Sequence, residues 1–161
     1  MKILIDGYNL LHASGIFGGV RGARGFEASR RALLDEIAAI LGPARAAVTV
    51  VFDAADAPPG LPDRHTHEGI DVRFARDHVS ADELIEELIE RHEAPTSLTV
   101  VSADNRVMAA ARRRRCKPVA SGAWLLAARE AARAAAERGE SKPPEPRTDA
   151  EVSRWLEEFG L

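Results

Sequence analysis

Three runs of apolar, mostly β-branched residues recur along the chain, and each runs straight into an aspartate. They are "KILID" (Lys2 to Asp6), "AVTVVFD" (Ala47 to Asp53) and "LTVVSAD" (Leu98 to Asp104). None alternates with polar residues, which is the pattern of strands covered on both faces. A fourth run, "EGIDVRFA", places Ile70, Val72 and Phe74 at every second position, like a strand with one wetter face. Lys117 to Ala120 reads as a short last strand.

Helical spacing fills the gaps between these runs. Leu33, Leu34, Ile37, Ile40 and Leu41 share one helix face before Gly42 and Pro43 stop it. Further helices are expected over about Ser80 to His92, Asp104 to Arg115 and Ser121 to Arg138. Strand and helix therefore alternate, which predicts an α/β fold with a mostly parallel sheet and helices on both faces. After Gly139, "ESKPPEPRT" holds three prolines in nine residues and reads as an extended linker. Thr148 and Glu151 then form a capping box for a short helix with Val152, Trp155, Leu156 and Phe159 on one face. The division expected is a domain over 1–138, a linker over 139–149 and an amphipathic helix over 150–161.

Composition narrows the class without naming it. With 161 residues, 45% of them hydrophobic, the chain can bury one sizeable core. A formal net charge of −3 excludes the bulk basicity of a general nucleic-acid coat protein, though local basic patches remain possible. Cys116 is the single cysteine, so no internal disulfide or cysteine cage for zinc can form, and a reducing setting is expected. His12, His65, His67, His78 and His92 follow no zinc spacing, and "RHTH" reads as an exposed loop. No apolar run approaches the length of a membrane span and no secretory signal is indicated, so a cytoplasmic location without membrane contact is the expectation.

The aspartates carry the chemistry. In open α/β sheets the site lies beyond the carboxyl ends of the strands, which is where Asp6, Asp53 and Asp104 would stand. Singly, each is a turn former or a helix cap; together at one edge they raise one another's proton affinity unless a cation is present. A hard divalent ion bound by oxygens answers that cost. The helix "VSADELIEELIERH" adds a geometric test. Its apolar face is Leu84, Ile85, Leu88 and Ile89, and at about 100° per residue Asp82 falls roughly 90° from the centre of that face while Glu83 points nearly opposite. Asp82 thus belongs at the margin of the core, and Glu83 pairs with Ser80 as a capping box. Glu86, one turn later, is a weaker candidate. Asn9 could orient Asp6 or make local backbone bonds as a loop residue. Ser102 could hydrogen-bond a carboxylate or a phosphate, or cap the helix after it, and Asn105 joins the secondary candidates.

Two basic segments could hold a polyanion. "SGIFGGVRGARG" (Ser14 to Gly25), with five glycines and two arginines in twelve residues, reads as a flexible loop offering Arg21 and Arg24. It fits neither a Walker A nor a dinucleotide-binding glycine pattern. "RRRRCK" places Arg112, Arg113, Arg114 and Arg115 in a last helical turn, where cations also suit the helix dipole.

In order and spacing, "ILIDGYNLLH", "VVFDA", "SADELIEELI", "TVVSADNRV" and the closing "WLEEFG" resemble the YacP-type branch of the NYN domains, ribonucleases of the PIN-like superfamily. The resemblance covers most of the chain. It implies a three-layer α/β/α sandwich and metal-dependent hydrolysis of RNA phosphodiester bonds, as an endoribonuclease in mRNA decay or RNA processing. By that similarity Asp6, Asp82 and Asp104 are the acids that hold Mg²⁺ or Mn²⁺, with Asp53 beside them. Many PIN domains carry another acid two residues after the last of these, where this chain has Arg106; one ion is therefore expected and a second left open. RNA is the implied partner, with a ribosome as a conceivable presenting surface. Two other readings fit the residues: an RNA-binding adaptor without catalysis, and a phosphoacceptor receiver domain using Asp6, Asp53, Ser102 and Lys117. Oligomeric state is not legible.

Overall fold

The computed structural model describes residues 1–16 and 23–139, apart from the side chains of Ala23, Arg24 and Asp56. Arg21, most of the expected linker and the expected C-terminal helix lie outside the described residues. Among the described residues six strands, β1 (Lys2–Asp6), β2 (Val48–Phe52), β3 (Arg64–His67), β4 (Ile70–Phe74), β5 (Leu98–Val101) and β6 (Lys117–Val119), form one sheet in the order β3-β4-β2-β1-β5-β6. Every pairing is parallel except that of β3 with β4. Among the same described residues five α-helices accompany them: α1 (Gly7–Ser14), α2 (Ala23–Leu41), α3 (Ala81–Arg91), α4 (Asn105–Arg113) and α5 (Ser121–Glu137). None among the described residues is long and apolar enough to cross a membrane.

The apolar strands explain the layers. Successive side chains of a strand point to opposite faces, so Ile5 of β1 packs with Leu10, Leu33, Ile37 and Leu125 of α1, α2 and α5, while its neighbour Leu4 packs with Ile85, Ile89, Val107 and Ala111 of α3 and α4. Helices thus cover both faces, giving the expected α/β/α sandwich. Because β1 is central and buried on both sides, its last residue, Asp6, is carried to the rim with only 2% of its surface exposed.

Four expectations need correction. Asn9, for which a loop position was one reading, lies in helix α1, and Ala23 to Gly25 of the expected glycine-rich loop open α2. "RHTH" is no loop but edge strand β3, whose partly buried His65 and His67 alternate with exposed Arg64 and Thr66. The first two residues of "EGIDVRFA" form the hairpin turn between β3 and β4, with Glu68 and Gly69 at φ of 48° and 88°. A two-residue turn with both φ positive matches the right-handed twist of the strands it joins. Cys116 is a buried free thiol, as its size and apolarity suggest.

Candidate functional site

Each aspartate reaches the site by the end of a different element. Asp6 closes β1 and caps α1: its Oδ1 accepts from the backbone N–H of Asn9 at 3.2 Å. Its Oδ2 accepts from Asn9 Nδ2 at 2.6 Å and from Ser102 Oγ at 3.1 Å. Ser102, fully buried just after β5, accepts in turn from the backbone N–H of Asp104 at 3.0 Å. Asp104 Oδ1 then caps α4, accepting from the N–H groups of Arg106 and Val107 at 2.8 and 3.1 Å. Asn9 and Ser102 therefore share the task of fixing Asp6, and Ser102 couples it to the first turn of α4.

The remaining two acids come from the other side of β1. Asp53 follows β2 directly and its Oδ1 accepts from the backbone N–H of Ala81, the first residue of α3, at 2.7 Å. That bond ties the start of α3 to the sheet edge and so places Asp82. Ser80 Oγ caps α3 from the N–H of Glu83, and Glu83 reaches back to the N–H of Val79. Asp82 is half-buried and Glu83 exposed, as the helical wheel requires.

The charges feel one another. Burial pushes the Asp6 carboxyl above its usual range; hydrogen bonds from Asn9 and Ser102 pull it back, and the charge of Asp53 adds to the push. Asp82 is pushed up to about 6, first by desolvation and then by the charges of Asp104, Asp6 and Asp53. A side chain that responds to three other carboxylates stands where four separate chain segments converge. Arg106, in the position where a further acid would stand, instead forks onto Glu86 through Nε at 2.6 Å and Nη2 at 3.1 Å. Its charge lowers Asp82 only as the smallest of the five influences on it.

A hard divalent cation suits this donor set, because carboxylate oxygens are its preferred ligands and both oxygens of Asp82 and Oδ2 of Asp104 accept no hydrogen bond from the described residues. Among those residues no group of three or more His, Cys, Asp or Glu side chains is gathered tightly enough to hold an ion directly.

Other candidate residues lie elsewhere. Asn105 is exposed on the first turn of α4. Arg112, Arg113, Arg114 and Arg115 sit at the far end of α4, about 13 Å from its acidic start at 1.5 Å per residue. Arg114 is occupied in holding the carbonyls of Glu90 and His92 at the end of α3. Lys117 pairs in register with Thr99, at the opening of β5 and away from its Ser102 end. That placement separates the lysine of the receiver-like reading from the aspartates it would serve. Sequence reasoning assigned no role to Gly7, yet a Cβ there would collide with the ring of Phe52. The signal was an Asp-Gly junction at a strand end, where only glycine admits close approach of a neighbouring side chain.

Comparison with known proteins agrees with this architecture. No curated protein matches the sequence. Two crystal structures of Rae1 (YacP) from Bacillus subtilis match the fold. The first, of a mutant, gives a TM-score of 0.67 at 26% identity, covering 97% of this chain and 91% of that one. The second gives 0.69 at 22% identity, covering 99% and 92%. The profile described as the YacP-like NYN domain matches residues 3–158. With that match over nearly its whole length, and its acids gathered at one sheet edge, the chain belongs to the YacP-like NYN family of nuclease-type domains.

Proposed function

We propose that the protein is a metal-dependent ribonuclease that hydrolyses RNA phosphodiester bonds internally, with Asp6, Asp82 and Asp104 holding Mg²⁺ or Mn²⁺ directly or through water. The observation that carries this reading is the convergence of four aspartates from β1, β2, α3 and the β5–α4 junction, strong enough to push Asp82 up to about 6. Isolated caps would not feel one another in this way. One hydrated ion is the expectation, since the Arg106–Glu86 pair occupies the edge where a further carboxylate would extend the site.

When bound, such an ion neutralises charge on a phosphate oxygen and makes a bound water acidic enough to attack. The chain's own residues prepare the place. Asn9 and Ser102 fix the Asp6 carboxylate in one orientation, so that no rotamer search is needed when substrate arrives. Asp53 holds the first turn of α3 against the sheet and keeps Asp82 facing the other acids. Burial and the neighbouring carboxylates push Asp82 up to about 6, and its ionised form is the one that would bind a cation.

The test is cleavage of a mixed RNA pool with Mn²⁺, Mg²⁺ or chelator, beside Asp6→Asn. The variant is expected to fold: an Asn oxygen can still accept from the Asn9 N–H, and the Asn9 amide and Ser102 hydroxyl can turn to accept from the new NH₂. Cleavage by wild type that needs the metal, and its loss in Asp6→Asn, is the expected result. Undiminished cleavage by Asp6→Asn would overturn the assignment, and RNA binding without metal-stimulated cleavage would favour a non-catalytic adaptor.

A further inference from the structure

We propose that the cleft beside Asp53 is a nucleobase-stacking subsite, in which one unpaired base of the RNA lies against the ring of Tyr8. The identity of the ligand rests on the ribonuclease reading; the chemistry of the cleft stands on its own. Its volume is about 450 Å³, within the roughly 300–1,000 Å³ typical of small-molecule sites. Tyr8, Phe26, Asp53, His78 and Val79 line it together with three alanines.

The lining selects a base over a phosphate. Among the described residues it includes a carboxylate and no lysine or arginine, and its histidine ring is engaged with Glu87. An anion placed there would meet repulsion from the Asp53 carboxylate. An uncharged aromatic ring meets none, and it would cover apolar surface that is open to solvent, with Tyr8 40% and Val79 96% exposed.

Tyr8 is also held ready. Its ring stacks on Phe26 at 6.2 Å between centroids and 24° between planes, and meets His12 edge-on at 4.5 Å. Phe26 is backed by the guanidinium of Arg30 at 5.9 Å, and Arg30 is only 3% exposed. A platform fixed by its neighbours loses little freedom when a base lands on it. Position supplies the rest of the argument. Tyr8 stands two residues after Asp6 in the first turn of α1, and Asp53 belongs both to the acid cluster and to the cleft wall. A base in this cleft would therefore place its own sugar and phosphate next to the acids.

Tyr8 is the sole tyrosine of the chain, so a protein labelled with ¹³C at the tyrosine ring gives signals from that ring alone. The probe is an eight-nucleotide single-stranded RNA, compared with an abasic oligomer of the same sugar-phosphate backbone, both titrated in chelator so that no cleavage occurs. The base-bearing oligomer is expected to shift the Tyr8 ring signals upfield and to bind at least about tenfold more tightly than the abasic one, the order of effect that one stacked base supplies. Tyr8→Leu should bind both oligomers with nearly equal affinity, whereas Tyr8→Phe should retain the preference; thermal melting of each variant checks its fold. Unmoved ring signals, equal binding of the two oligomers by wild type, or a preference that survives Tyr8→Leu would each overturn the subsite. Metal-stimulated cleavage alongside any of those results would leave the nuclease reading standing, and a shifted Tyr8 without cleavage would remove the nuclease reading and keep the subsite.

Discussion

At the scale of single residues, Asp82 is the most informative group. Its ordinary carboxyl value of 3.8 is pushed up to about 6 by burial and by three neighbouring aspartates. Between those two values the folded chain binds a proton at Asp82 that the unfolded chain has already lost. The resulting stabilisation is present below about pH 4 and disappears as the pH rises through 6. In chelator, Asp82→Asn should therefore melt at a higher temperature than wild type at pH 7.5, and the difference should shrink towards zero at pH 4. A difference independent of pH would show that this carboxyl is not under pressure from its neighbours. Added Mn²⁺ should raise the melting temperature of wild type at pH 7.5 and have far less effect at pH 5, because protonation of Asp82 removes an ionised ligand. The position of this residue was legible in the sequence, because helical periodicity separates Asp82 at the core's margin from Glu83 in water. Its proton affinity was not, since that depends on acids distant in sequence whose meeting is a tertiary event.

At the scale of elements, the junction of β1 and α1 decides whether Asp6 and Asp53 come together. Gly7 opens α1 against the ring of Phe52, the last residue of β2 and itself 1% exposed. A methyl group there would meet ring carbons too closely for contact, and the ring is buried in the core, where shifting it disturbs close-packed neighbours. Gly7→Ala is expected to cost about 1–3 kcal/mol in urea unfolding, the usual range for overpacking a core. Gly122, near the start of α5, has open space around its Cβ position and no positive φ. Gly122→Ala should accordingly stabilise by about 0.4–1 kcal/mol through the unfolded state. The same reasoning explains which elements the sequence revealed. β1, β2 and β5 are buried on both faces and announce themselves as unbroken apolar runs. α1 is short and begins with Gly, Tyr and Asn, residues of modest helix propensity, so it forms because Asp6 caps it and Leu10 and Leu11 pack into the core. β3 stays hidden for a related reason: its residues lack a β-branched run, and its pairing with β4 is set by the turn at Glu68 and Gly69.

At the scale of the whole molecule, the sheet separates its charges. Asp6, Asp53 and Asp104 follow the carboxyl ends of β1, β2 and β5, while Arg112 to Arg115 stand at and just past the opposite end of α4, about 13 Å along that helix. A helix aligned this way has acid at its amino end and cations at its carboxyl end, each favoured by the helix dipole, so the separation follows from the fold whether or not RNA binds. RNA long enough to span both ends would reach the arginines as well as an ion held at the acids; a dinucleotide would reach the acidic end alone. Arg114 already holds the end of α3, which leaves Arg112, Arg113 and Arg115, all exposed, as the residues to neutralise. Changing these three to Gln should weaken binding of a long single-stranded RNA and flatten its dependence on salt by about 0.7 in log–log slope for each phosphate that the variant no longer neutralises. Cleavage of a dinucleotide should be unchanged. Filter binding across a salt series, beside dinucleotide turnover, measures both. An unaltered salt slope would assign the arginines to the helix dipole alone, and equal losses for long and short substrates would show that the cluster acts through the fold, because a group that touches only distant RNA cannot affect a substrate too short to reach it.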